Sequence, residues 1–220
     1  MQRAGLCALR LTGLTAAGNK ESGDAMPDQT NKSRSDCAKE SVRLFTAVEL
    51  PATVKSLLLS LKTNIPGLKW TGAENLHLTL RFIGEVPAQN LPAIKEALRV
   101  VRPPAFPLRL NGLGLFERPY QSILWAGLEN RPELISLKRD IDKALSAGAA
   151  LAPEKGRFSP HITLGRLKDS APEMLYEFVN KNTAEVRGEF AVASFVLFKS
   201  TLEPGGAVHK LEETYPLQGA

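Results

Sequence analysis

The chain carries one four-residue element twice, His77-Leu78-Thr79-Leu80 and His161-Ile162-Thr163-Leu164, with the second histidine 84 positions after the first. Both copies sit in runs where aliphatic and polar residues alternate, the pattern of a half-buried strand. Residues two apart on a strand share a face. Each copy therefore puts an imidazole and a hydroxyl on one side and aliphatic side chains on the other. The 220 residues hold three histidines, and two of them head this element. At average composition, aliphatic-Thr-Leu follows a given histidine well under about once in a hundred. The repetition points to two equivalent places in one pseudo-duplicated fold.

The order of elements supports that reading. "VRLFTAVEL" from Val42 reads as a first strand. Pro51 then opens a helix with Val54, Leu57, Leu58 and Leu61 on one stripe. Strands "LKWTG" and "LHLTLRFIGEV" come next, then a helix carrying Leu91, Ile94, Leu98 and Val101 that stops at Pro103-Pro104. "FPLRLNGLGLF" and "SILWAGLE" are strands, and a third helix aligns Leu134, Leu137, Ile141 and Leu145 up to Gly148. "RFSPHITLGRL" is a strand, and Pro172 opens a fourth helix with Leu175, Phe178 and Val179 inward. "GEFAVASFVLFKSTL" reads as one strand and "HKLEETYPL" as the last, with a Pro204-Gly205-Gly206 turn between. The mixture is α+β. The expected architecture is bilobal and pseudo-duplicated, with about four strands and two helices per half, two antiparallel sheets facing across a central cleft, and helices outside.

Residues 1–41 read as a disordered tail, because "GNKESGDAMPDQTNKSRSDCAKES" is polar and lacks apolar periodicity. The folded domain is expected over 42–220. The first twenty residues imitate a signal peptide only weakly, since Arg10 breaks the apolar run, and Met26 is an alternative start. Both cysteines, Cys7 and Cys37, fall in the tail, so a disulfide framework or cysteine-ligated metal is excluded from the domain, which fits a reducing cytosol. No apolar run approaches the roughly 18 residues of a membrane span. Of 28 Lys/Arg and 23 Asp/Glu, the tail holds 6 and 5, which leaves 22 against 18, or +4, on the domain. That is a mild lean towards an anionic partner and too little for a nucleic-acid clamp.

Two imidazoles and two hydroxyls around one position suit phosphoryl chemistry without a metal or other cofactor. One imidazole takes a proton from the nucleophile and the other gives one to the leaving oxygen, each role worth on the order of 10²–10⁴ in rate. The Thr79 and Thr163 hydroxyls are placed to donate to non-bridging oxygens. A metal would want further ligands, and neither element has a carboxylate at the next same-face position. No Walker loop, dinucleotide fingerprint or Gly-x-Ser-x-Gly elbow is present. The third histidine, His209, has no threonine partner and reads as structural or exposed.

At these residues the chain resembles the 2H phosphoesterase superfamily, and within it the bacterial RNA 2′,3′-cyclic phosphodiesterases, also called the 2′-5′ RNA ligase family. The likeness runs from Val42 to Leu217 and includes "RLFTAVELP", "ENLHLTLRFIGEV", "LWAGLE", "FSPHITLGRL" and "STLEPGGAVHKLEETYPL". It implies an enzyme acting on the 2′,3′-cyclic phosphate of RNA 3′ ends and leaving a 2′-phosphate; the cysteine placement makes the cytoplasm the expected compartment, and a monomer is expected. It also implies His77 as general acid, His161 as general base, and Thr79 and Thr163 as phosphate holders. Arg166 is the family's expected anion ligand, although strict alternation turns it away from His161 unless Gly165 permits a bulge. Arg81 has the parity of His77. Arg43 and Phe45 are expected substrate contacts, and Phe158 reads as core more readily than as a contact. Thr46 and His209 depart from the family, which often has a larger apolar residue at the first position and tyrosine at the second. Alternative readings keep the cleft but change its use: a 2′-5′ oligonucleotide phosphodiesterase or ligase, a phosphodiesterase of small cyclic nucleotides, or a non-catalytic module that binds RNA ends.

Overall fold

A computed structural model of the chain describes residues 40–154, 156–168, 173–204 and 206–219. The expected tail, its two cysteines and Met26 lie almost wholly outside the described residues, as does Pro172. Nine strands and four helices occur among the described residues, in the order β1 (Ser41–Glu49), α1 (Ala52–Ser60), β2 (Leu68–Trp70), β3 (His77–Pro87), α2 (Leu91–Leu98), β4 (Phe106–Arg118), β5 (Gln121–Leu128), α3 (Pro132–Ala149), β6 (His161–Lys168), α4 (Glu173–Asn182), β7 (Arg187–Val192), β8 (Ser194–Glu203) and β9 (Gly206–Pro216). None of these helices is long and apolar enough to cross a membrane. The α+β reading and the antiparallel pairing are both observed.

The strands run β7-β4-β5-β6-β3-β1-β8-β9, with β2 added beside β6. Two groups of four, β7-β4-β5-β6 and β3-β1-β8-β9, meet at β6 and β3 through a single register pair, Leu78 opposite Ile162. They form two lobes of one continuous sheet. The lobes are not the two halves of the sequence, because β8 and β9 return to join β1 and β3. That return corrects the reading of "GEFAVASFVLFKSTL" as one strand. The run breaks at Ala193, and β7 pairs with β4 while β8 pairs with β1 in the other lobe.

One face of the sheet is covered by a single apolar core. Val54 and Leu58 of α1, Ile94 and Leu98 of α2, Leu134, Leu137, Ile141 and Leu145 of α3, and Leu175 of α4 pack there with Leu78, Leu80, Ile162 and Leu164. The helical stripes match the apolar spacing of the sequence. A second, small cluster of Phe45, Ala47, Val196 and Phe198 lies apart from this core. On β1 the even residues Val42, Leu44 and Val48 thus face the helices, and the odd ones from Arg43 to Glu49 face the opposite side.

Both motif strands then bulge at the same place. Along β3, Ala47 pairs with Thr79 and Thr46 with Arg81, so Leu80 is an extra residue. Along β6, Trp125 pairs with Thr163 and Leu124 with Gly165, so Leu164 is the extra one. A bulge of this kind reverses the facing of everything after it. Arg81 is consequently turned into the core, only 3% exposed, where its guanidinium pairs with Asp142 of α3 and donates to the Ala152 carbonyl at 2.6 Å. The expectation that Arg81 shares a face with His77 is therefore corrected. Thr46, its register partner, is also fully buried, with its hydroxyl unpaired among the described residues.

Asp142 is shared between Arg81 and Lys138, which ties α3 to the back of β3. Removing one partner of a buried ion pair leaves the other charge uncompensated. Arg81→Met is expected to lower unfolding free energy by about 3 kcal/mol, the low end for a broken buried pair because Lys138 still neutralises Asp142. Denaturant unfolding checks this, and an unchanged midpoint would mean the pair does not anchor α3.

Candidate active site

The Leu78–Ile162 pair builds the site. Both side chains are fully buried among the helices, so the residues on either side of each, His77 and Thr79 on β3 and His161 and Thr163 on β6, point the other way. All four flank one bridge. His77 and His161 are diagonal neighbours across it, with Cα atoms on the order of 7–8 Å apart for such a pair. Beyond the bridge β3 pairs with β1 and β6 with β5 and β2, so the lobes part and a cleft opens above the four side chains.

The main chain two residues before each motif histidine bonds to its ring, and at His161 that bond fixes the tautomer. His161 Nδ1 donates to the Ser159 carbonyl at 2.8 Å, and a hydrogen bond with the Asn75 main chain raises the pKa of His77. The His161 ring therefore keeps Nε2 as its acceptor nitrogen. His77 Nε2 and the Thr79 hydroxyl are hydrogen-bonded to each other at 3.1 Å.

The charges around the rings are positive. Burial is the largest influence on His77 and lowers its pKa to about 4, with further lowering from His209, Lys55 and His161. Burial also lowers His161, and Arg166 and Arg118 add to the effect. Arg166 itself is lowered by burial and by Arg118. Neither arginine forms an ion pair among the described residues. Uncompensated cations beside neutral imidazoles favour an anionic ligand. No three His, Cys, Asp or Glu side chains among the described residues converge as a metal ligand set.

The bulge at Leu164 turns Arg166 back onto the face of His161 and Thr163, and leaves it exposed. The matching bulge on β3 brings Phe82, 57% exposed, to the equivalent place beside Thr79. Phe45 packs on His77 with ring centroids 5.0 Å apart, and exposed Arg43 lies on the same face of β1. Phe158 packs against the main core, as expected. Of the anticipated residues, the structure gathers His77, Thr79, His161, Thr163, Arg166, Arg43 and Phe45 on the cleft side and leaves Arg81 out.

Four residues of this face escape a reading along the chain. His209 stands edge-on to His77 at 5.4 Å, so it is neither isolated nor merely exposed. Phe116 stands edge-on to His161 at 4.9 Å, and Trp125 lies 6.5 Å from it. The Trp125 indole rests over Gly114, where a Cβ would fall 2.2 Å from the ring, so only glycine leaves room for it. Its buried N–H has no partner among the described residues. Arg118 reaches the His161 side from the end of β4. The signals were the glycines bracketing Trp125 and the scarcity of histidine, but only cross-strand register turns them into positions.

A family model described as "LigT like Phosphoesterase" matches twice, over residues 48–125 and 128–209. The chain is 35% identical over 179 residues to a Thermotoga maritima protein named RNA 2′,3′-cyclic phosphodiesterase, covering 77% of this chain and 92% of that one. An Archaeoglobus fulgidus protein of the same name is 32% identical over 173 residues, covering 77% and 97%. The crystal structure of E. coli LigT in apo form superposes with a TM-score of 0.66 at 28% identity, covering 81% of this chain and 98% of that one.

The depressed imidazoles also make stability depend on pH. The unfolded chain takes up a proton at His77 near pH 6.5 and the folded chain only near 4, so the fold loses stability as pH falls through that window. His77 alone accounts for on the order of 3 kcal/mol. NMR titration of the ring nitrogens in the ligand-free protein is expected to give both pKa values below 6.5, with His77 near 4. A normal value for His77 would contradict the burial described here.

Proposed function

The chain belongs to the LigT-like phosphoesterase family, and from that premise we propose that it hydrolyses the 2′,3′-cyclic phosphate at an RNA 3′ end with two imidazoles and no metal ion. The observation that carries this reading is the pairing of Leu78 with Ile162, which sets two imidazoles and two hydroxyls around one point. The activity named for the T. maritima and A. fulgidus relatives supports the choice of substrate.

In this reading the phosphate sits above the bridge, its non-bridging oxygens taking hydrogen bonds from Thr79, Thr163 and the Arg166 guanidinium. His161 Nε2 removes a proton from water as the water oxygen bonds to phosphorus. The bond from phosphorus to the 3′ oxygen breaks, and protonated His77 gives its proton to that oxygen. The product is a 3′-hydroxyl and a 2′-phosphate, one water having been added. Proton exchange with solvent then restores the starting state. Charge gathering on the phosphoryl oxygens meets preset donors, which is where such sites gain most of their rate.

A ring with a pKa near 4 is scarce as an acid at neutral pH, but it is a strong one, and an incoming phosphate anion raises it. Because kcat/KM reports the free enzyme, both limbs of its pH profile are expected below pH 6.5, whichever ring is the acid.

A short RNA ending in a cyclic phosphate tests the proposal directly. The expected product carries a 2′-phosphate, formed at the same rate with a chelator present. His77→Ala and His161→Ala are each expected to lower kcat by about 10²–10⁴-fold while the protein remains folded. A 3′-phosphate product, or loss of turnover on chelation, would overturn this mechanism.

A further inference from the structure

His209 enters the cleft from the far edge of its lobe. In the order β3-β1-β8-β9 it lies three strands from His77, yet the two rings are 5.4 Å apart at an interplanar angle of 81°. The lobe curls over Phe45 and Phe198 to bring them together. All six pairs among Phe45, His77, Phe198 and His209 are in ring contact, at centroid distances from 4.8 to 6.2 Å. A flat four-stranded lobe would hold His77 and His209 about 14 Å apart.

One residue closes the curl. The Asn75 side-chain amide donates to the Ala207 carbonyl at 3.1 Å, fastening the start of β9 to the short helix before β3. The main chain of the same Asn75 is hydrogen-bonded to His77. Asn75 thus holds His77 by its main chain and the strand bearing His209 by its side chain. His209 pairs with Ser200 in the strand register, and its buried Nδ1 has no partner among the described residues. Such a ring is least costly with the proton on Nε2, since an unpaired acceptor is better tolerated than an unpaired N–H.

We propose that His209 is a positioning residue for His77, held edge-on to it by the Asn75 tether, and that it fixes the His77 ring in the cleft and governs how readily that ring takes a proton. The inference rests on the proposed role of His77 and adds a third histidine to the proposed machinery. The charged groups facing the pair are Lys55 on α1, Glu49 opposite His77 and Arg43 on β1, and His161 across the bridge; the Glu74 carboxylate lies 3.4 Å from the Asn75 amide. After burial, His209 is the largest influence lowering His77, while burial and Arg43 lower His209 itself.

The test compares wild type with His209→Gln, which keeps a polar side chain and removes the ring and its charge, and with Asn75→Ala, which cuts the tether but keeps the carbonyl. Ring-nitrogen NMR titration in the ligand-free protein requires no turnover, so it decides the coupling even if the substrate assignment fails. In His209→Gln the His77 pKa is expected to rise towards 6.5 and the lower limb of kcat/KM to move with it. The value of kcat is expected to fall about tenfold with KM little changed, the mark of a group that acts on the reacting geometry. Asn75→Ala is expected to show the same changes in smaller measure. Should His209→Gln fail to fold, Asn75→Ala decides by the same readouts. A His77 titration and kcat unchanged from wild type, or a loss of thermal stability with no shift in His77, would overturn the proposal.

Discussion

Everything at this cleft depends on one contact, Leu78 against Ile162. Those two residues are fully buried, and theirs is the register pair that joins the lobes. Burying each aliphatic side chain contributes about 1.5–3 kcal/mol. More consequential is the parity it imposes. With Leu78 and Ile162 directed into the helices, the side chains before and after each must emerge on the other face, and those are the two histidines and two threonines. The duplicated tetrapeptide is therefore a way of crossing two strands once so that a hydrophobic pair behind them places a polar quartet in front. The strands separate immediately beyond, which makes the crossing point the floor of a cleft.

The electrostatics follow from that floor. Rings set into a fold lose water, and lost water disfavours their charged forms. Lys55 and His209 on one side, with Arg118 and Arg166 on the other, deepen the effect. The free site thus holds neutral imidazoles in a positive field, an unfavourable state that an anion relieves. At His161 the Ser159 carbonyl fixes which nitrogen is left to act.

The elements and the quartet were legible in the sequence because they depend on short-range periodicity: the apolar stripes of α1 to α4, the alternation around His77 and His161, and the repetition itself. What was not legible depends on pairing between distant strands. Alternation carried through Leu80 assigns Arg81 to the cleft, whereas the bulge sends it to Asp142 and brings Phe82 forward. The same bulge at Leu164 returns Arg166 to the site, and its counterpart on β3 forms with Arg81 where β6 has Gly165. His209 looked isolated because its partner lies three strands away, reached only through the curl that Asn75 fastens. The run from Gly188 to Leu202 looked continuous because an apolar stretch carries no mark of which lobe it serves, and its break at Ala193 is a matter of topology.

The central claim is that the rings of His77 and His161 grip a single phosphate together. The most direct measurement is a ring-nitrogen NMR titration of both histidines with and without saturating RNA that carries a terminal 2′-phosphate, the unreactive product. A shared dianion should raise both pKa values together in the bound state. Movement of one ring while the other keeps its free value would contradict the account.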